Sequence, residues 1–195
     1  MQTQAVELER LIRAAVEAMQ RGDFPRALAE ARSALALDPA NYDARHIAAL
    51  ALLYAGRAPE ALEAIERLVA AYPADASAQN TRGAALQGLG RIADAAAAYR
   101  EAVKLAPDYV DGWANLGLAL LAAGSADEAE AALARAAELQ PAILQRIREP
   151  LGRLALHRAV RHLAGKDRDA ALQPAQEAAR LLPQSADAAG VEAQA

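Results

Sequence analysis

A chain of 195 residues, 54% hydrophobic and 24% charged, is long enough to bury a core and does not have the composition of a disordered segment. Aromatic residues make up only 4%, so the core must be built mainly from Ala and Leu, and the absence of Cys excludes disulfides and thiol chemistry. A net charge of −4 with a single Phe, Phe24, argues against strong nucleic-acid binding.

The opening stretch, Met1 to Gln20, carries Glu7, Glu9 and Glu17 among its apolar residues and has no apolar signal core. The longest apolar run, Ile47 to Ala55, is too short to cross a bilayer. A cytoplasmic location without membrane insertion is therefore expected. Arg greatly outnumbers Lys (Lys104 and Lys166 alone), a usage that fits a G+C-rich bacterial genome.

After a lead-in over 1–7, one spacing organises the chain. Pro39, Pro73, Pro107 and Pro141 are evenly spaced, and Gly22, Gly56, Gly90 and Gly124 each stand half a period ahead of one of them. Ala27, Ala61, Ala95 and Ala129 keep the same register. A fixed period outranks any single motif. It divides the chain into four ungapped units of equal length, 8–41, 42–75, 76–109 and 110–143, each reading as helix, short turn, helix. In the fourth, Val110, Trp113, Leu116, Leu120 and Leu121 recur at helical spacing. Gly124 suits a left-handed helix end, Ser125 or Asp127 can cap the next helix, and Pro141 stops it.

Beyond Pro141 the period breaks, because the next matching proline, Pro183, comes eight positions later than the spacing requires. The segment 144–183 reads as a diverged fifth hairpin with its turn at Gly165. The extra residues lie around Ile143 to Pro150, where Pro150 either starts a helix or kinks a longer one. Pro174 leaves the start of the hairpin's second helix open. An atypical end unit of this kind is expected to cap the array, and the small, polar segment 184–195 is expected to be disordered.

The repeat resembles the tetratricopeptide (TPR) family, whose unit of about 34 residues places Trp, Leu-Gly, Tyr, Ala, Phe and Pro at fixed offsets. Trp113, Leu116, Gly117, Ala129 and Pro141 match it in the fourth unit, with Leu120 and Leu133 in place of the two aromatics. The third unit supplies Gly83, Ala95, Tyr99, Ala102 and Pro107, with Gln79 where Trp would stand, while Ala49 and Ala15 replace the Gly in earlier units. The resemblance implies an all-α fold, a right-handed α-solenoid of stacked antiparallel helix hairpins. Gly117 and Ala129 are then small where two helices approach closely, and Trp113 is a packing residue rather than a stacking platform for a ligand.

Catalytic signals are weak. His46, His157 and His162 lack the spacing of a zinc-binding helix, no Cys completes a set, and Ser33, Ser77, Ser125 and Ser185 have no nucleophile-elbow context. The run Gly88 to Ala93 fits a dinucleotide-binding pattern only in letters, since a helix precedes it and Gly90 belongs to the turn column. No enzyme activity, cofactor or metal is expected.

Function is expected on the face that TPR arrays make from their first helices, which commonly binds a partner's peptide or helix. By aligned position that groove takes Arg13 and Val16; Asp43, His46, Ile47 and Tyr54; Asn80, Thr81, Ala84 and Gln87; and Asp111, Asn115 and Leu118, with Tyr109 at one rim. Asn80 and Asn115 are expected to orient a bound backbone. The basic carboxylate-binding set of the family's chaperone-tail subclass is absent apart from Asn115. The segment 144–195 is net basic, unlike the acidic segment before it. Its Arg153, His157 and Arg161 share a helical face that reads as solvated surface or as an anion or acidic-partner site. The leading reading is a non-catalytic adaptor for a protein partner, a peptide or an amphipathic helix. The alternatives are self-assembly into a homo-oligomer, and service as the interaction portion of a larger enzyme or secretion complex.

Overall fold

The structure, a computed structural model, describes residues 2–195, which form eleven α-helices and no strand among the described residues. In chain order these are α1 (Gln2–Gln20), α2 (Phe24–Leu37), α3 (Tyr42–Tyr54), α4 (Ala58–Ala71), α5 (Ala76–Gly88), α6 (Ile92–Leu105), α7 (Val110–Ala122), α8 (Ala126–Leu139), α9 (Leu144–Ala164), α10 (Arg168–Leu181) and α11 (Ala186–Gln194). A short 3-10 turn, Pro141–Ile143, precedes α9. The lead-in over 1–7 is part of α1 from Gln2 onward. The chain divides into two compact units, Met1–Gly112 and Trp113–Ala195, with the division inside α7.

Each hairpin turn closes in the same way. Gly22, Gly56, Gly90 and Gly124 have φ of +73°, +73°, +72° and +82°. The amide after each glycine reaches back to a carbonyl of the preceding helix's last turn, as Asp23 N does to Ala18 O at 2.9 Å and Arg91 N to Leu86 O at 3.0 Å. This is the hydrogen-bond pattern of a left-handed helix end, which glycine adopts without steric cost. Helix starts are less uniform. Asp23, Asn41 and Asp75 accept capping bonds from backbone amides, whereas Ser125 stands at the start of α8 without making one.

In the first unit, α1/α2, α3/α4 and α5/α6 pack as antiparallel pairs over a core dominated by Ala and Leu. Ala27, Ala61 and Ala95 are fully buried. At Gly83 the approach is closest: a Cβ there would lie 2.6 Å from a ring carbon of Tyr99. Tyr99 is itself 2% exposed, so its ring has no room to retreat. In the second unit Gly117 plays the same part, and a Cβ would lie 2.5 Å from Leu133 Cγ and 3.1 Å from the Ala129 carbonyl oxygen. Trp113 is half-buried in that unit.

The break in the period resolves as a longer helix. α9 has 21 residues where α3, α5 and α7 each have 13, and this surplus of eight equals the delay of Pro183 behind its expected place. Pro150 lies inside α9 and omits one rung of its hydrogen-bond ladder. α10 begins at Arg168, ahead of the buried Pro174. The fifth turn differs from expectation: Gly165 has ordinary helical-end geometry with its N–H bonded to Arg161, and the left-handed residue is Lys166, at φ +61°. Lys166 stands half a period before Pro183, in the glycine column of the other units.

Three second-unit helices are tied together by Arg158 of α9, whose guanidinium contacts Glu130 of α8 and, at 3.0 Å, Glu177 of α10. The segment 184–195, expected to be disordered, instead carries α11. Ser185 caps it by accepting from Ala188 N, and Ala188 is fully buried against Ala155 and Ala178. α11 starts one full period after Gly152, where the first helix of one more hairpin would begin, so small residues at the repeat's packing positions outweigh its weak apolar content.

Two consequences can be measured by thermal or urea unfolding. Gly83→Ala and Gly117→Ala should each cost about 1–3 kcal/mol, since even a methyl group forces the paired helices apart. Lys166→Gly should instead stabilise the chain by about 1 kcal/mol by relieving a left-handed residue that bears a Cβ.

Candidate protein-interaction groove

α3 packs beside both α1 and α5 in the first unit, so the first helices of successive hairpins adjoin. Because the register recurs once per repeat, equivalent positions of these helices point the same way. Of the residues expected there, Arg13, Val16, Asp43, Tyr54, Gln87 and Asp111 are exposed, while His46, Ile47, Asn80, Ala84 and Tyr109 are half-buried. Thr81 is only 4% exposed and forms floor rather than contact surface. Asn115 and Leu118, both half-buried, belong to the second unit.

The floor is polar and closed. His46 Nε2 and Thr81 Oγ1 are 2.9 Å apart, linking α3 to α5. Burial pushes the His46 imidazole below the usual histidine range, and the carboxylates of Asp75 and Asp43 offset this only in part. His46 is therefore neutral at pH 7. The Tyr99 hydroxyl donates to Gln87 Oε1 at 3.1 Å, which fixes the amide at the far end of α5.

Aromatic rings border this floor, and several were not among the expected residues. Tyr54 stacks on Phe24 with centroids 5.4 Å apart. Tyr42 packs edge-on to His46 and to Tyr72, at 5.7 and 5.3 Å. The Tyr42 hydroxyl is held well above the usual tyrosine range, first by burial and then by its hydrogen bond to Asp75. Tyr109 is also shifted upward, chiefly by burial, with Asp111 and Asp75 adding to the shift and a hydrogen bond with Ser77 opposing it. Asp75 carries further load as the cap of α5, accepting from Ser77 N at 2.8 Å and Ala78 N at 3.1 Å. The signal for Tyr42 and Asp75 lay in the repeat columns, where Tyr42 opens its unit and Asp75 closes it in the column of the expected Tyr109.

In the second unit the register set by Lys166 puts Arg153, Leu156, His157 and Val160 in the columns of Asp111, Ala114, Asn115 and Leu118. The expected basic face is largely neutralised. Arg153 pairs with Glu149 at 2.7 Å, and Arg161, one position outside those columns, pairs with Asp127 at 3.0 Å. A cleft lined by Leu156, Val160, Asp187, Gly190, Val191 and Gln194 runs between α9 and α11. Among the described residues no helix is long and apolar enough to cross a membrane, and no group of His, Cys, Asp or Glu is arranged to hold a metal.

The profile of the tetratricopeptide repeat family matches residues 12–76, 46–86 and 80–142, well over half of the chain. The chain belongs to this family. Its fold is similar to that of MamA (residue 41 to the end) from Desulfovibrio magneticus RS-1, with TM-score 0.62 and 27% identity over 69% of this chain and 76% of that one. It is also similar to a thermophilic TPR protein from Thermus thermophilus, with TM-score 0.68 and 24% identity over 95% and 97% of the two chains. YrrB, a TPR protein with an unusual peptide-binding site, gives TM-score 0.65 and 21% identity over 94% and 90%. No curated protein matches the chain. The TPR fold is a protein-interaction scaffold, and the chain has the architecture for that role.

The neutral His46 makes stability depend on pH. A base whose folded-state pKa is depressed binds fewer protons folded than unfolded. Its contribution is therefore present above the ordinary histidine value and is lost as pH falls below it. Urea unfolding between about pH 7.5 and about pH 5 should show wild type losing more stability than His46→Gln, which keeps a hydrogen-bonding partner for Thr81 but does not titrate.

Proposed function

We propose that the chain is a non-catalytic TPR adaptor that binds a peptide or an amphipathic helix of a partner protein along α1, α3 and α5. The observation that carries this reading is Tyr54. It is 60% exposed at a first-helix position, yet its ring is held in place by the stack on Phe24. A large ring kept rigid and open to solvent presents contact area at little entropic cost, the property of an interface anchor. Val16, 40% exposed, adds apolar surface at a position expected in the same groove.

The polar groups suit an extended backbone. Gln87 is exposed and has its carbonyl oxygen engaged by Tyr99, which leaves its amide N–H groups as donors. Asn80 supplies a second amide from the same helix, and Asn115 and Leu118 stand in the columns of Thr81 and Ala84 along the sequence of the second unit. Amides read a peptide main chain without demanding one side-chain sequence. MamA and YrrB share this scaffold, and the latter has a peptide-binding site of its own.

Affinity capture from the native lysate, with wild type and a Tyr54→Ala, Asn80→Ala variant as parallel baits, tests the reading. A partner retained by wild type and lost with the variant, at unchanged helicity and melting, is the expected result. Recovery of the chain's own copies alone, unaffected by the substitutions, would replace the adaptor with a self-assembling array.

A further inference from the structure

Granted that this groove binds a peptide, its charge narrows the class of partner. In the first unit Arg45 of α3 donates to the Pro39 carbonyl, while several other arginines are paired with carboxylates: Arg10 pairs with Glu7 at 2.6 Å, Arg21 with Glu17 at 2.7 Å, Arg82 with Glu66 at 2.9 Å and Arg91 with Asp94 at 2.7 Å. Arg57 and Arg67 are likewise paired, with Glu60 and Glu63. Glu9, Asp43 and Asp111 occupy the same position of their units, the second, and all three are exposed. Glu9, Asp43 and the rim residue Asp108 make no ion pair among the described residues. Arg13 stands against them on α1, and the neutral His46 adds no positive charge.

The aromatic rings stand within this negative field. Tyr42 is hydrogen-bonded to Asp75 and Tyr109 to Ser77, two residues on, so two of the rings stand beside a carboxylate at the start of α5. A cleft lined by Ala76, Ser77, Ala106, Asp108 and Tyr109 opens at the rim. A ring face attracts a cation through its quadrupole, and a carboxylate beside it attracts the same cation by charge. An acidic segment would meet like charge here. A purely apolar helix would strip water from carboxylates without pairing them, which is costly.

We infer that the groove of the first unit takes a basic segment of its partner, whose Arg or Lys side chains lie against the exposed ring of Tyr54 and the rim ring of Tyr109 and whose charge is met by Glu9, Asp43 and Asp108. This rests on the groove reading above. Arg fits best, because its planar guanidinium both stacks on a ring and bonds a carboxylate through two N–H groups.

Three labelled synthetic peptides of equal length, alternating Ala with Arg, Gln or Glu, are titrated with the full chain and followed by fluorescence anisotropy at low and at high salt. The Arg peptide should bind tightest and weaken steeply with salt. Its affinity should fall about tenfold in the Glu9→Gln, Asp43→Asn double variant and about threefold to fivefold in Tyr54→Ala, with the melting of both variants unchanged. If the Gln or Glu peptide binds as well as the Arg peptide and is lost with Tyr54→Ala, the basic-partner assignment falls while the groove stands. An Arg peptide indifferent to all three substitutions, or no binding by any peptide, overturns both.

Discussion

The architecture depends on how closely two antiparallel helices can approach within a hairpin. At Gly83 and Gly117 the facing side chains, Tyr99 and Leu133, sit where a Cβ would have to be. The alanine column that includes Ala95 and Ala129 is buried to the same purpose. With few aromatics available, this chain fills its interior by bringing backbones together, and dispersion between close-packed small groups replaces the volume that larger side chains would supply.

That close approach also sets what the surface can do. Once each hairpin is locked in one register, the first-helix positions that the core does not use recur in every repeat. In the first unit they carry Asp43, Tyr54, Asn80 and Gln87, above a floor closed by the His46–Thr81 contact. In the second, eight additional residues lengthen α9 at its start, so the register resumes intact at Arg153 and Leu156. The insertion changes the length of a helix while leaving its periodic face unchanged.

Charge follows the same division of labour. Most ion pairs join residues three or four apart on one helix, and exposed pairs of that kind contribute little to stability. Their effect is to neutralise these arginines locally, within a turn of their own helix. Arg158 is the contrasting case, since it joins α8, α9 and α10 from a partly buried position and has its charge met by two carboxylates.

Periodicity alone was enough to read the helix hairpins and their first four glycine turns, because a strict repeat leaves its mark on Pro, Gly and Ala columns that depend on local backbone geometry, and the residues at fixed offsets within it carried the resemblance to the family. The same column contained Lys166, half a period before Pro183, although the neighbouring Gly165 is the more obvious residue for a left-handed turn. The expectation of disorder for 184–195 failed because composition reports only how much apolar surface a segment has, and α11 is held by one buried alanine in a neighbourhood made by α9 and α10. Which groove residues face solvent was settled only by packing: Thr81 and Tyr54 occupy first-helix positions alike, yet one is sealed under His46 and the other stands open on Phe24. Sequence by itself determined the repeat and its register, since those follow from turns and spacings along the chain. Tertiary structure alone decided burial, ring contacts and the neutral state of His46, since each depends on side chains brought together from different helices.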